Sequence, residues 1–375
     1  MPMSTDPLTV VLAAGGTAGH VEPALNLADA LLRERPDTRI VVLGSERGLE
    51  ATLVPARGFE LVTVPAVPMP RRPNGDLLLL PARLRTATAQ AAELLRTRHA
   101  DVVVGFGGYA AVPGYLAARR AKVPLVIHEA NARPGLANRL GSRLTSHVYA
   151  SVPGAMPRAR YLALPLRHAI SSLDRGARHD EACAHFGLDP RLPVLLVFGG
   201  SQGAQRLNAA VAGAVAGLVA SGISVLHSYG SRNEVPAPVP PSPGGASYVA
   251  LPYIDRMDLA YAAADFAVTR AGAMTCAELA AVGLPAAYVP LPIGNGEQRV
   301  NAEPVVSAGG GLLVDDSALT AEWLSSTVTE VLHDGGRLAG MSAAAAEHGV
   351  RDADEQLARI VIDAAGHSGR TADRG

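Results

Sequence analysis

One pattern, occurring twice, constrains this chain more than any other feature. Near the start, a charge-free apolar run (residues 8–13, LTVVLA) leads into a glycine-rich turn, Gly15-Gly16-Thr17-Ala18-Gly19. Residues 24–33 follow, with apolar positions at helical spacing. Past the midpoint, residues 193–198 (PVLLVF) lead into Gly199-Gly200-Ser201-Gln202-Gly203 and then the helical pattern of residues 207–218. Runs of this kind, rich in β-branched residues and lacking polar alternation, suit strands buried on both faces of a parallel sheet. Similar runs at 39–43, 101–105, 124–128 and 147–150, and at 224–228, 247–250, 266–269 and 286–289, alternate with helical stretches such as 84–98 and 114–120. The expected class is α/β, βαβ units around a parallel sheet, repeated in each half. The repeat is an architectural duplication, not a solenoid period.

The boundary is expected around residues 158–167. That gives an N-terminal domain at 1–165, a C-terminal domain at 166–345, and a closing segment at 346–375. Residues 341–365 read as one helical pattern with a frayed polar tail after it, and the closing helix is expected to pack back on the first domain. Residues 235–245, rich in Pro and Gly, read as an exposed loop. Hydrophobic residues make up 48% of the chain, enough for two cores. The 33 basic and 34 acidic residues nearly cancel, which argues against nucleic acid as a partner. Two cysteines, Cys183 and Cys276, make neither a disulfide framework nor a zinc site, and no metal-ligand spacing occurs. No apolar run reaches the roughly 18 residues of a membrane span, and residues 1–14 lack the layout of a signal peptide.

The first glycine turn lets backbone approach a ligand closely and exposes helix N-terminal N–H groups. It is neither a Walker A loop nor the dinucleotide fingerprint. His20 stands at its end, at a strand's C-terminal edge, where open α/β sheets place ligands. An imidazole there suits general-base work; a plain capping histidine on a packing turn is the bland alternative. The second turn carries no titratable group, so Ser201 and Gln202 suit binding of a phosphate or sugar, or a structural turn alone. In residues 269–278 (TRAGAMTCAE), a strand ends and Ala273, Met274 and Thr275 open a helix whose N–H groups and dipole would hold a diphosphate. Glu278, about one turn in, could accept from both ribose hydroxyls or simply complement the dipole. Arg270 could meet phosphate or a surface carboxylate. Residues 290–302 (PLPIGNGEQRVNA) enter a helix with Gln298 and Asn301, carboxamides suited to sugar hydroxyls or simply a polar helix start. His128-Glu129-Ala130-Asn131 follows another strand, and Asn131 could reach a ligand or close an Asx turn. Residues 67–85 (VPMPRRPNGDLLLLPARLR) set Leu77, Leu78, Leu79 and Leu80 among Arg71, Arg72, Arg83 and Arg85. Exposed, this segment suits an anionic bilayer; buried, it is an ordinary core helix.

Taken together and in this order, GGTAGHVEPALNLA, GFGGY, HEANARPGLANR, LPLR, GGSQGAQRLN, TRAGAMTCAEL and PLPIGNGEQRVNA resemble the MurG family over nearly the whole chain. The family comprises UDP-N-acetylglucosamine:N-acetylmuramyl-(pentapeptide) pyrophosphoryl-undecaprenol N-acetylglucosamine transferases. The resemblance implies a GT-B glycosyltransferase, two Rossmann-like domains facing a cleft, working without a metal or other cofactor. It implies UDP-N-acetylglucosamine as donor on the second domain. It also implies lipid I (undecaprenyl-pyrophosphoryl-N-acetylmuramoyl pentapeptide) as acceptor and an inverting transfer to the muramoyl C4 hydroxyl that makes lipid II. The implied location is peripheral, on an anionic membrane surface at the cytoplasmic face, with other cell-wall synthesis proteins as further partners. Carried over residue by residue, the implied donor contacts are Thr17, Ala18, Gly19, Asn131, Arg167, Ser201, Gln202, Ile254 through its backbone to uracil, the run Ala273, Met274, Thr275, Cys276, Ala277 and Glu278, and Gln298. His20 matches the family's suspected base. Ala18, Ala130 and Ala271 depart from the glycine, glutamine and serine that relatives carry, so contacts by those polar side chains are missing here. The wording HEANARPG and GNGEQRVNAEP points to an actinobacterial source. The rival readings are another GT-B enzyme, such as a UDP-N-acetylglucosamine 2-epimerase or a natural-product glycosyltransferase, and a non-catalytic sugar-nucleotide binding module.

Overall fold

The computed structural model describes residues 7–46, 48–65, 76–200, 205–292 and 296–372. The chain forms two compact units, residues 1–167 with 352–375, and residues 168–351. The first contains strands β1 (Thr9–Ala14), β2 (Arg39–Gly44), β3 (Glu60–Thr63), β4 (Val102–Gly107), β5 (Leu125–Glu129), β6 (His147–Ala150) and β7 (Arg160–Tyr161). They form one sheet in the order β3-β2-β1-β4-β5-β6-β7, every pair parallel. Its helices are α1 (Ala18–Glu34), α2 (Glu50–Ala56), α3 (Asp76–Thr97), α4 (Ala111–Ala121) and α5 (Leu136–Gly141).

The second unit contains β8 (Val194–Phe198), β9 (Ser224–Ser228), β10 (Tyr248–Leu251), β11 (Phe266–Thr269), β12 (Ala286–Tyr288) and β13 (Gly311–Leu313), ordered β10-β9-β8-β11-β12-β13 and again parallel throughout. Around them lie α6 (His168–Ser171), α7 (Arg175–Phe186), α8 (Gln205–Ala220), α9 (Met257–Ala263), α10 (Ala273–Val282), α11 (Glu297–Ser307), α12 (Ala321–His333) and α13 (Gly335–Glu347). The last helix, α14 (Ala353–Ala372), belongs to the first unit.

Alternation along the strands divides the first unit's core. Val10, Leu12 and Ala14 of β1 join α1 and α14 on one face. Val11 and Ala13 join α3 and α4 on the other. Apolar residues at every position are what such a two-faced strand requires. Leu357, Ala358 and Val361 of α14 lie in the same cluster as Ala24, Leu27, Ala28 and Leu31 of α1, and Asp354 pairs with Arg33. In the second unit, Leu195 and Val197 pack against α8 and α12. The duplication extends to side chains: Asp101, just before β4, accepts the Thr9 N–H at 2.8 Å, and Asp265, just before β11, accepts the Val194 N–H at 2.8 Å. Each carboxylate satisfies the first donor of its central strand.

The single helix read over residues 341–365 is in fact two, with a break at residues 348–352. Gly349 explains the break, because a Cβ there would stand 2.4 Å from the Ala280 carbonyl oxygen, so only glycine lets this segment lie against α10. The helix read from residue 84 begins a full two turns earlier, at Asp76, and so takes in the leucine cluster.

Candidate active site

In each sheet the strand order reverses at the central strand, between β1 and β4 and between β8 and β11. Loops at the C-terminal ends of those strands are where such sheets hold ligands. The turn after β8 includes Ser201 and Gln202, which lie outside the described residues, as do Arg71 and Arg72.

In the first unit the loops after β1 and β4 meet. Gly16 has φ +89° and Gly108 φ +92°, left-handed values that suit glycine. A Cβ on Gly108 would sit 2.1 Å from the Gly15 carbonyl oxygen, so the close approach of the two loops depends on that missing side chain. A Cβ on Gly107 would stand 3.3 Å from His20 Nε2 and 3.4 Å from Asn138 Nδ2, which places both side chains against this loop. Thr17, Ala18 and Gly19 form the entry to α1, with Thr17 as its N-cap residue. The His20 ring is half-exposed, and its Nδ1 lies 3.2 Å from the Gly15 carbonyl oxygen and 3.1 Å from Thr17 Oγ1. A carbonyl can only accept, so Nδ1 carries the hydrogen and the Nε2 lone pair is available to take a proton.

The loop after β5 is wrapped around Glu129, which is buried. Its Oε1 accepts from Asn131 N at 2.9 Å and Nδ2 at 3.2 Å, and its Oε2 from Gly135 N at 3.1 Å and Asn138 Nδ2 at 2.9 Å. Asn138 Oδ1 accepts from the buried Tyr115 hydroxyl at 2.6 Å. Asn131 is therefore anchored by its amide nitrogen. Arg167 lies beside α1, its Nε 3.9 Å from Glu22 Oε2. His128 is fully buried; Nε2 donates to the Leu162 and Ala163 carbonyls at 3.1 Å each, and Nδ1 has no hydrogen-bond partner. Burial pushes its pKa down to about 4, so this ring is a neutral structural donor.

In the second unit, β11 ends at Thr269 and Gly272 is the N-cap of α10, with no side chain capping the helix. The N–H groups of Ala273, Met274 and Thr275 thus open a helix end suited to an anion. Cys276 and Glu278 are buried while Ala277 is half-buried. Glu278 lies in the second helical turn, not the first, and its Oε2 accepts from the Tyr261 hydroxyl of α9 at 2.8 Å. Ile254, just before α9, is buried. Gln298 Oε1 accepts the Leu291 N–H at 2.9 Å, which fixes the carboxamide at the start of α11, and Asn301 Nδ2 donates to the Ala271 carbonyl at 3.2 Å. Arg270 is buried against Asp316 at 2.6 Å and the Val289 carbonyl at 3.2 Å, the carboxylate alternative of its two readings. Burial pushes the Cys183 thiol up to about 11 and the Cys276 thiol far higher, so neither is an activated nucleophile. Among the described residues no group of His, Cys, Asp and Glu could hold a metal ion.

Of the leucine cluster, Leu79 is 54% exposed while Leu80 and Leu84 pack partly against the core. Arg83 and Arg85 are exposed. Leu77 and Leu78 open α3, their side chains lying outside the described part. In the described part of this helix, Leu80 and Leu84 face the core while Leu79, Arg83 and Arg85 face outward. No described helix is long and apolar enough to cross a membrane.

Sequence reasoning did not single out Glu50, Asn138, Tyr115 or Tyr261, the buried partners that hold these loops. Only Glu50 carries a local signal, a charged residue set among glycines after a strand (Gly44, Gly48).

Comparison with known proteins agrees with this geometry. The N-terminal domain of glycosyltransferase family 28 matches residues 10–150 and its C-terminal domain residues 194–357. A Streptomyces avermitilis protein named UDP-N-acetylglucosamine--N-acetylmuramyl-(pentapeptide) pyrophosphoryl-undecaprenol N-acetylglucosamine transferase is 60% identical over 356 residues, 95% of this chain and 98% of its own length. A Mycobacterium sp. (strain JLS) protein of the same name is 56% identical over 360 residues, 96% of each chain. The crystal structure of Acinetobacter baumannii MurG superposes with a TM-score of 0.76 at 30% identity, covering 95% of this chain and all 100% of that one. A UDP-N-acetylglucosamine 2-epimerase structure shares the fold alone, with a TM-score of 0.61 at 14% identity over 96% of this chain and 98% of its own. Two parallel-sheet units, matched by the two glycosyltransferase family 28 domains, make this a glycosyltransferase of the GT-B fold class. Within that class the chain belongs to glycosyltransferase family 28 and to its MurG family.

Proposed function

We propose that this chain transfers N-acetylglucosamine from UDP-N-acetylglucosamine to the C4 hydroxyl of the muramoyl sugar of lipid I, making lipid II for peptidoglycan. The observation that carries this reading is the near-full-length identity, 60% over 95% of the chain, to a relative so named. The geometry supports the following roles. His20 Nε2 takes the proton of the acceptor hydroxyl as its oxygen bonds to the donor's anomeric carbon. The bond from that carbon to the diphosphate oxygen breaks from the opposite face, inverting configuration, and UDP leaves with the electron pair. The charge gathering on UDP meets the N–H groups of Ala273, Met274 and Thr275 and the α10 dipole, with Ser201 and Gln202 as further phosphate contacts and Arg167 as a further donor contact. Glu278, steadied by Tyr261, accepts from the ribose hydroxyls. The Ile254 backbone meets uracil, Gln298 meets the amino sugar, and Thr17, Ala18, Gly19 and Asn131 border the reacting sugars.

The exposed Leu79 with Arg83 and Arg85 supports a peripheral seat on an anionic membrane at the cytoplasmic face, where lipid I would be met. Arg71, Arg72, Leu77 and Leu78 are proposed to extend the same contact. Other cell-wall synthesis proteins are further proposed partners.

The test is UDP release from UDP-N-acetylglucosamine with and without a lipid I analogue. Release that needs the acceptor, and that falls about 10²- to 10⁴-fold in His20→Ala, is expected. Interconversion of the free UDP-sugar without acceptor, or full turnover by His20→Ala, would overturn the transferase reading or the base assignment respectively.

A further inference from the structure

Glu50 opens α2, far in sequence from the first glycine turn, yet its carboxylate holds that turn. The residue is entirely buried. Oε2 accepts the Gly16 N–H at 2.8 Å; Oε1 accepts the Ser45 N–H at 2.9 Å and the Ser45 hydroxyl at 2.6 Å. Three glycines make room for it. A Cβ on Gly15 would stand 2.6 Å from Oε1, one on Gly44 2.7 Å from Cγ, and one on Gly48 1.9 Å from Oε2. An unpinned glutamate could swing aside, but this one is fixed by three donors. Burial alone would raise its pKa. The Ser45 and Gly16 donors outweigh burial and hold it below the ordinary carboxylate value, so it is an anion at neutral pH.

The Gly16 N–H and the Gly15 carbonyl belong to one peptide unit. A trans peptide is planar, with its N–H and C=O pointing in opposite directions, so fixing one end fixes the other. Glu50 grips the N–H, and the carbonyl at the far end faces His20 Nδ1 at 3.2 Å. At φ +89° on Gly16 this plane has the freedom to turn over unless something holds it.

Building on the proposed base role of His20, we infer that Glu50 is a positioning residue for that base. Its carboxylate orients and polarises the Gly15–Gly16 peptide, which in turn fixes the Nδ1–H tautomer of His20 and steadies the ring when Nε2 gains a proton. A hydrogen-bonded chain ending in a charge strengthens each of its links. Other titratable or charged groups on the surrounding elements include Tyr109 after β4, His128 and Glu129 on β5, Glu46 before α2, and, on α1, Glu22 beside Arg167, Asp29 paired with Arg57, Arg33 paired with Asp354, and Glu34. The substitutions below leave all of them in place.

The experiment compares Glu50→Gln, Glu50→Asp, His20→Ala and the double variant His20→Ala/Glu50→Gln in the full chain, using UDP release with a lipid I analogue across pH and calorimetric UDP binding. Glu50→Gln should lower kcat by about 10- to 10²-fold, the scale of a slightly misplaced catalytic group, with UDP affinity unchanged. Its acidic limb of kcat should move to lower pH, because the imidazolium loses the distant negative charge. Glu50→Asp keeps the charge, drawn back by one methylene. Its limb should therefore stay nearer the wild-type position even where kcat falls or stability suffers. In the His20→Ala background the Glu50 change should cost nothing further. An inactive His20→Ala beside a fully active Glu50→Gln would overturn the inference alone, and a fully active His20→Ala would overturn the base role first. Additive losses in the double variant, or coincident limbs for Gln and Asp, would reduce Glu50 to a structural residue.

Discussion

Lowering the pH from 7 to 5 should destabilise the first unit through a single ring, His128. Protonation would place a second N–H at Nδ1, which is buried and meets no acceptor, while Nε2 already donates to two carbonyls. The native pKa of about 4 lies below the ordinary histidine value of 6.5. Between those values the unfolded chain binds the proton and the folded chain does not, so stability is fully present above about pH 6.5 and is lost as pH falls toward 4. Integrating the difference from pH 7 to pH 5 gives about 2 kcal/mol, with about 3 kcal/mol at the acid end. His227 of β9 should behave alike in the second unit. Its Nδ1 lies 2.8 Å from the Tyr248 hydroxyl and its Nε2 3.0 Å from Asn208 Oδ1, and burial lowers its pKa to about 4. The assay is urea unfolding at pH 7, 6 and 5 for wild type, His128→Gln and His227→Gln. Glutamine can still donate to the carbonyls that His128 serves but does not titrate. Each variant should lose about 2 kcal/mol less than wild type over this range. Parallel losses in wild type and variants would refute the reasoning.

Three further outcomes follow from the geometry. Gly105→Ala would put its Cβ 2.1 Å from Tyr115 Cε1, against a ring that is fully buried, and should cost about 1–3 kcal/mol or more in chemical denaturation; an unchanged midpoint would mean the ring can move aside. Glu278→Ala should weaken UDP-N-acetylglucosamine binding by about 10- to 100-fold in calorimetry, with Tyr261→Phe costing less; undiminished affinity would reject the ribose role. Leu79→Glu should reduce binding to phosphatidylglycerol vesicles by about 10-fold while leaving UDP binding intact, and equal vesicle binding would remove Leu79 from the membrane contact.

The sequence alone determined the class of fold, two parallel sheets each opening on a glycine turn, because strand burial and helix periodicity are written in neighbouring residues. It also placed His20 and the start of α10 at strand ends, since a turn and the helix after it are local events. Tertiary structure decided what holds those groups. Glu50 reaches Gly16 across 34 residues and Tyr261 reaches Glu278 across 17. Strand order decides the first, by bringing β2 beside β1, while the second depends on how α9 and α10 fold back on either side of β11. Tertiary structure also sent α14 back to α1 and broke the last helical pattern at Gly349, where a close backbone approach leaves no room for a side chain. Periodicity records which face of an element is apolar, but the partner of a buried carboxylate depends on which distant loops the sheet brings together.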